Sequence, residues 1–464
     1  MAITKVVLLG AVLSASPSIR LSAQDTSTID RGVRIGIIYR PGVRPGLVVL
    51  PGRGAALDSV RTIIARDLDY SDRFEIISLP GSDSLQLSTR PSATPLPPPT
   101  TTPTPRGRAS AGGGGVQAVG LNYPLYQALG ADFVVELRAV GESLSVQLHD
   151  ATAGSVRRVF TQRVPPLGDP GFRLAVHRLS DQIVGAALGA PGIAATRVLF
   201  VKDGKVNYID QDGAGIHLVS SSDRQAMSPA WAADGRRFAY MEFAAGHGQL
   251  FVQDLATGHR VPVATTGQAL DFTPAFSPDE KTLAFSRATE EGTDIYTVNV
   301  RDQCCLQRLT VGRFSDNLSP TYSPDGQRIA FVSTRSGLPQ IYVMAADGTD
   351  QQLFAPFDYG ATGSSNAPEW SPDGQSVAFH RDVAGTLQVF VLDVRTRTVR
   401  QLTSVGRNED PTWAPDSRHL AFVSDRAGYR QLWIIDLETG RIRPLLQQSG
   451  ARLPSWSPRL PETP

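Results

Sequence analysis

Apolar residues first come in two short β-rich runs, Val33 to Tyr39 and Gly46 to Leu50. The period then lengthens. In LDSVRTIIARDLDY, Val60, Ile63, Ile64 and Leu68 recur on one face of a helix. RFEIIS reads as another strand, and ADFVVELRAV, SLSVQLHD and SVRRVFTQRV as three more, joined by glycine-bearing turns. DPGFRLAVHRLSDQIVGAALG returns to the helical period, with Phe172, Ala175, Val176, Leu179 and Ile183 on one face and Gly189 at its end. Strands of this pattern beside two amphipathic helices predict a small α+β N-terminal domain over residues 33–190. His177 lies in the second helix with no further metal-type ligand one turn away, which favours packing or surface over ligation.

Two stretches break this pattern. MAITKVVLLGAVLSASPSIRLSA has one lysine, an apolar run from Val6 to about Ala15 and a polar stretch to Ala23, the layout of a secretory signal over residues 1–23. Its apolar run is shorter than the ~20 residues a bilayer span needs. Residues 24–32 follow as a polar, flexible arm. The second break, residues 81–115, is rich in Pro, Thr and Ser and ends in a glycine run. Such a composition buries too little apolar area to offset chain entropy, so a disordered insertion with an extended proline stretch is expected.

Beyond Arg197 the chain repeats itself. PAWAADGRRFAY, PAFSPDEKTLAF, PTYSPDGQRIAF, PEWSPDGQSVAF and PTWAPDSRHLAF bring Asp234, Asp279, Asp325, Asp373 and Asp416 into register, 43 to 48 residues apart. That period, filled only with short strands and turns, is that of a β-propeller blade. In Ser-Pro-Asp-Gly the proline presets φ, the aspartate bonds nearby backbone and the glycine takes the left-handed position that reverses the hairpin. The preceding aromatics (Trp231, Phe276, Tyr322, Trp370 and Trp413) are expected to pack between neighbouring blades. Each turn leads to a second strand such as RIAFVS, a third such as QIYVMAADG and a fourth such as QQLFA or RQLTS.

Before the first full unit, RVLFVKDGKVNYIDQDGAGIHLVS supplies second, third and fourth strands but no first. LPSWSP, from Leu453, supplies a first strand with no others. Aligned through Trp456, it can enter beside Val198 to Val201 and complete a sixth blade, leaving no exposed strand edge between blades. The fold class expected is thus an α+β N-terminal domain followed by an all-β six-bladed β-propeller over 197–460, closed by the C-terminal strand.

Charge and cysteine content narrow the chemistry. With 45 Lys and Arg against 44 Asp and Glu, interspersed, nothing marks a nucleic-acid or anionic-membrane surface. The only cysteines are neighbours, Cys304 and Cys305. Adjacent Cα atoms lie closer than an ordinary disulfide prefers, so thiols in a hairpin loop are favoured over a vicinal ring, in a structural or incidental role. The seven histidines occupy unrelated repeat positions, His380 at a strand end and His419 in a turn. There is no H-E-x-x-H and no G-x-S-x-G elbow, against a metalloenzyme or a propeller-linked peptidase. No cofactor is expected.

An exported α/β domain, the junction PGIAATRVLFV, blades built on S-P-D-G-x-x-I-A-F and the segment PSWSPRL together resemble the TolB family, from about Val33 to Leu460 apart from the insertion. The resemblance implies a non-catalytic, periplasmic, monomeric protein of the Tol-Pal system. It further implies that the propeller binds the peptidoglycan-associated lipoprotein Pal and the mature N-terminal segment binds TolA, supporting outer-membrane integrity and constriction in cell division. Loops from a fourth strand to the next first strand ring one mouth of the propeller, reading QALDFTP, RFSDNLSP, SSNAP and GRNEDP. The resemblance places the Pal contact on them, with Asp271, Asp316, Asn317, Asn366, Asn408, Glu409 and Asp410 as candidates, although Asn and Asp also serve turn chemistry. Arg287, Arg335, Arg381 and Arg426 recur after the second strand and are expected to bond between blades. For TolA, the arm QDTSTIDRGVRI offers Asp25, Ile29, Asp30 and Arg31, suited to β-augmentation. A stand-alone periplasmic or surface propeller that binds a solute or another protein is the alternative.

Because residues 81–115 read as a spacer, their deletion should leave fold and partner binding intact. Matching circular dichroism, melting temperature and pull-down of the shortened and full chains would check this.

Overall fold

The computed structural model describes residues 44–79 and 121–461, apart from 53, 222, 245–246, 264–268, 313–314 and 358–361. The signal segment, the arm residues Asp25, Ile29, Asp30 and Arg31, the run Val33 to Tyr39 and the insertion 81–115 lie outside the described residues.

The first domain follows the hydrophobic pattern. Strands β1 (Gly46–Val49), β2 (Glu75–Ile76), β3 (Phe133–Val140), β4 (Ser143–Asp150) and β5 (Ser155–Arg163) form one sheet in the order β2-β1-β3-β4-β5. The β1 pairings are parallel and the rest antiparallel. Helices α1 (Ala55–Tyr70) and α3 (Phe172–Leu188) cover one face, burying Val60, Ile63, Ile64 and Leu68 with Phe172, Val176, Leu179 and Ile183 against Leu47, Phe133, Val135 and Val146. The short helix α2 (Tyr123–Ala128), which the periodicity did not announce, brings Tyr126 to the other face against Val48 and Val134. α3 ends on Gly189, whose φ of 67° lets its N–H reach the Gly185 carbonyl. From α3, Asp181 accepts the N–H groups of Ala194 (2.8 Å) and Ala195 (3.0 Å), pinning the junction that enters the propeller. Gly192 is required there, because a Cβ would lie 2.1 Å from the Asp181 Oδ1.

Six four-stranded antiparallel sheets follow. Blades 1 to 5 occupy 226–262, 270–308, 317–353, 365–401 and 408–446, and blade 6 joins Arg452–Trp456 to Arg197–Lys202, Lys205–Asp210 and His217–Leu218. First strands touch one another around the ring, including that of blade 6 against those of blades 5 and 1, so they line the central channel. The closing register pairs Trp456 with Val198 and Arg452 with Val201, as the Trp456 alignment predicts. Trp456 is buried with Ala414, Ala421, Val423 and Ile434 of blade 5. Its indole N–H donates to Thr196 Oγ1 (2.9 Å), its backbone N–H to Thr412 Oγ1 (3.0 Å), and the Trp231 indole of blade 1 donates to the Ser455 carbonyl (3.1 Å). One short strand therefore ties together both adjoining blades and the interdomain junction.

The turn chemistry holds in every complete unit. Asp234, Asp279, Asp325, Asp373 and Asp416 each accept the N–H two residues on, at 2.7 to 3.2 Å. The left-handed place belongs to Gly235, Gly326 and Gly374, but to Glu280 in blade 2 and Ser417 in blade 5. A second repeated feature was not anticipated. Ser228, Thr273, Ser319, Ala367, Asp410 and Leu453, each just before a proline at one register of a first strand, all have φ near +50°, and each first strand shifts register around its member of the set. A non-glycine residue there costs roughly 1–2 kcal/mol. Part of this is offset where the freed N–H reaches the preceding blade: Ser319 donates to Ser286 Oγ (3.0 Å) and Asp410 to His380 Nδ1 (3.1 Å).

The cysteines depart from expectation, since Cys304 and Cys305 are joined by a disulfide. Cys305 adopts φ 64° beside a register shift in the last hairpin of blade 2, and this backbone kink accommodates the vicinal ring.

Replacing Trp456 by Ala should cost ~3–5 kcal/mol, the usual large-to-small penalty in a core. A melting temperature equal to wild type would contradict closure by this strand.

Candidate functional site at the propeller mouth

Strands alternate in direction within each blade, so the loop from second to third strand and the loop from fourth to next first strand emerge at one end of the ring. The candidate residues divide here. Asp271, Asn317 and Asn408 are buried and serve the fold, which corrects their selection as exposed contacts. Asp271 lies directly across from Arg287 (3.4 Å). Asn317 donates to Asp294 Oδ1 (2.9 Å) and accepts from Arg335 (2.9 Å), while Asn408 donates to Gln388 Oε1 (2.8 Å) and accepts from Arg426 (3.0 Å). Blades 3 and 5 thus carry the same Asn–Arg brace.

That brace also corrects the reading of the repeated arginines. Arg287, Arg335 and Arg426 tie the first and second strands of their own blade, because a side chain at the end of the second strand faces its cross-strand neighbour before it can reach another sheet. Arg335 lies over Phe331 and Tyr342, and Arg426 over Phe422 and Trp433. Arg381 spans blades as expected, donating to the Ala355 carbonyl just past the last strand of blade 3 (2.7 Å) as well as to Ser365 of its own sheet (3.0 Å).

Asp316 is exposed at the mouth, and Asn366, Glu409 and Asp410 are partly buried there. Asp316 is held by reciprocal bonds with Thr334 (2.8 and 3.0 Å), and Glu409 by Arg407 (3.1 Å) and Arg430 (3.2 Å). Burial and the charge of Glu409 push the Asp410 carboxyl up to about 7. His380 is driven down to about 4 by burial and then by Arg407, consistent with a neutral ring whose Nδ1 accepts the Asp410 N–H.

Sequence reading overlooked an apolar component. Val311 and Val405, in fourth-to-first loops, are 75% and 62% exposed; Leu338 and Tyr429, in second-to-third loops, are both 49% exposed. The signal was present as two paired phrases, T-V-G with R-S-G-L and S-V-G with R-A-G-Y, one pair around blade 3 and the other around blade 5. The mouth therefore presents apolar side chains beside hydrogen-bonding acids, the mixture that protein interfaces use.

Two buried His/Asp clusters lie elsewhere, between the α/β domain and the propeller: Asp67, His177 and Asp212, and Asp72, His419 and Asp436. Neither is a convincing metal seat. Asp212 is taken by Arg173 and Arg66, Asp436 by Arg418 at 2.5 and 2.7 Å, and Asp72 by Arg441 at 3.0 Å. His177 is buried, in line with packing, whereas His419 is fully enclosed and not a surface turn residue.

Comparison with known proteins decides the family. The model of the TolB beta propeller domain matches residues 186–358 and 359–461. The chain belongs to this TolB propeller family. The Tol-Pal system protein TolB of Bordetella pertussis is 31% identical over 183 residues, 39% of this chain and 41% of that protein, and its namesake in Bordetella bronchiseptica matches equally. The chain thus spans about two-fifths of the length of the curated relatives it matches. The crystal structure of TolB from Acinetobacter baumannii superposes with a TM-score of 0.70 at 24% identity, covering 90% of this chain and 98% of that one, which shows a shared two-domain fold.

Asn408→Ala should lower stability by about 1–3 kcal/mol by taking from half-buried Arg426 its cross-strand acceptor and from Gln388 one of its two donors. Chemical denaturation would measure this, with the loss expected even when no partner protein is present.

Proposed function

We propose that this TolB-family chain is a non-catalytic, periplasmic scaffold of the Tol-Pal system. Its propeller mouth binds the lipoprotein Pal, and its N-terminal arm, with Asp25, Ile29, Asp30 and Arg31, binds TolA, in support of outer-membrane integrity and constriction during division. The observation that carries this reading is the family match across the propeller, joined to a 31% identical stretch shared with proteins named Tol-Pal system protein TolB. Support comes also from the mouth itself, where Asp316, Asn366, Glu409 and Asp410 stand among exposed Val311, Leu338, Val405 and Tyr429. Such a surface suits a protein partner better than a small solute, because its groups are spread over several blades and do not converge on one enclosed pocket. In this reading, residues 1–23 direct export, 24–32 form the arm and 81–115 are a spacer.

The test is capture from an envelope extract with the mature chain. Retention of Pal is expected, and Tyr429→Asp or Asp316→Lys should weaken it tenfold or more, about 1.4 kcal/mol, at an unchanged melting temperature. No retention of Pal, together with normal envelope integrity in a deletion strain, would dismiss the assignment.

A further inference from the structure

The α/β domain rests on blade 5 through a buried group that the repeat pattern marks as unusual. Four of the turns continue Asp-Gly or Asp-Glu; blade 5 reads Asp416-Ser417-Arg418-His419. The departure is used for docking. His419 Nδ1 lies 2.8 Å from Asp416 Oδ2, within its own turn, and Nε2 lies 3.3 Å from Asp72 Oδ2, just beyond α1, with Asp436 Oδ1 3.9 Å away. All four side chains are buried. A neutral imidazole has one N–H and one bare lone pair, so it can serve only one of the two flanking carboxylates. The other would then face a lone pair where water cannot intervene. Imidazolium serves both.

We propose that His419 is a proton-operated latch between the α/β domain and the propeller: protonated, it bridges Asp72 to Asp416, and on losing its proton it loosens the docking of α1 on blade 5. The surrounding charges leave this proton as the adjustable element. From the α1 side, Asp69 and Asp72 bind Arg441 (2.8 and 3.0 Å), and Arg73 reaches Asp416 (3.3 Å). From blade 5, Arg418 pairs with Asp436 and Glu438 and donates to the Asp72 carbonyl (3.0 Å), while Arg443 lies 4.0 Å over the Tyr70 ring. These arginines keep their charge across the physiological range. Histidine does not.

Burial by itself would drive His419 down, but Asp416, Asp72 and Asp436 together raise it above its ordinary value. Its contribution is therefore complete below the unfolded value near 6.5 and is lost as pH rises through the raised folded value. Asp416 is held well below its usual range, against burial, by His419 and Arg73, so its side of the bridge fails only in strong acid. The histidine that faces blade 6 is placed differently, its Nε2 making no hydrogen bond across the junction among the described residues. His177 Nδ1 contacts Asp67 Oδ2 at 2.8 Å, and its Nε2 faces Asp210 Oδ2 of the propeller at 4.0 Å, among Arg66, Arg173, Arg197 and Asp212. His177 too is raised by Asp67, Asp212 and Asp210 against the effect of burial.

Hydrogen exchange of the full chain between pH 6 and 9, corrected for intrinsic rates, tests the latch at residues 69–73 and 414–419. Protection there should be flat below about pH 6.5, fall up to tenfold per pH unit from there to the raised His419 midpoint, as a difference of one bound proton requires, and level off above it, while the sheet core of blade 3 stays protected. His419→Gln should abolish the pH dependence at these segments, and Asp72→Asn, which keeps an acceptor but removes the charge, should move the midpoint to lower pH. Uniform protection in the wild-type chain, or an unchanged profile in Asp72→Asn, would overturn the proposal, and the latter result decides even if His419→Gln fails to fold.

Discussion

Closure of the ring is the constraint on which the rest depends. Residues Arg452–Trp456 pair with Arg197–Lys202, joining segments about 250 residues apart in sequence. Without that strand, blade 6 would expose an edge and blades 1 and 5 would each lose a neighbour. Its bonds to Thr196, Thr412 and Trp231 spread the cost of opening over the junction and both adjoining blades. Closing so long a loop is entropically expensive but grows only slowly with loop length, and the apolar surface buried around Trp456 offsets it.

A closed ring with its first strands innermost also dictates where chemistry can sit. At one end the Ser-Pro-Asp-Gly turns are internally bonded, and in blade 5 the turn meets the α/β domain. At the other end, second-to-third and fourth-to-first loops converge and offer the accessible acids and apolar side chains. The Asn–Arg braces of blades 3 and 5 hold these loops from below, so residues that resemble binding groups in the sequence act as their supports. The left-handed residues before proline bend each first strand and stitch blades where their N–H groups find a neighbour. Backbone strain is thus spread around the channel and held in place by closure.

The domain junction follows another logic. It is dense in buried ion pairs, an arrangement that gives little net stability but specifies orientation, because breaking any one pair strands its partner. Asp181 and Gly192 set the path of the connecting chain, while the salt-bridged faces of α1 and α3 meet blades 5 and 6.

Much of this was legible in the residues. The spacing of Val60, Ile63, Ile64 and Leu68 placed α1, and the repeated aspartates placed the blades, because local periodicity and turn stereochemistry need only neighbouring residues. The orphan strand around Trp456 was legible through its repeat register. What escaped depended on distance in space. Asn317 and Asn408 looked like exposed loop residues until their arginine partners enclosed them; the vicinal disulfide required a kink at Cys305; and His419 acquired its second carboxylate from Asp72, some 350 residues earlier in the chain. Sequence alone therefore determined the two long helices, the blade count and the closing strand, since each is written in periodicity. Tertiary structure decided which polar residues are buried and which stay accessible, because burial and charge pairing belong to the assembled packing and not to the local pattern.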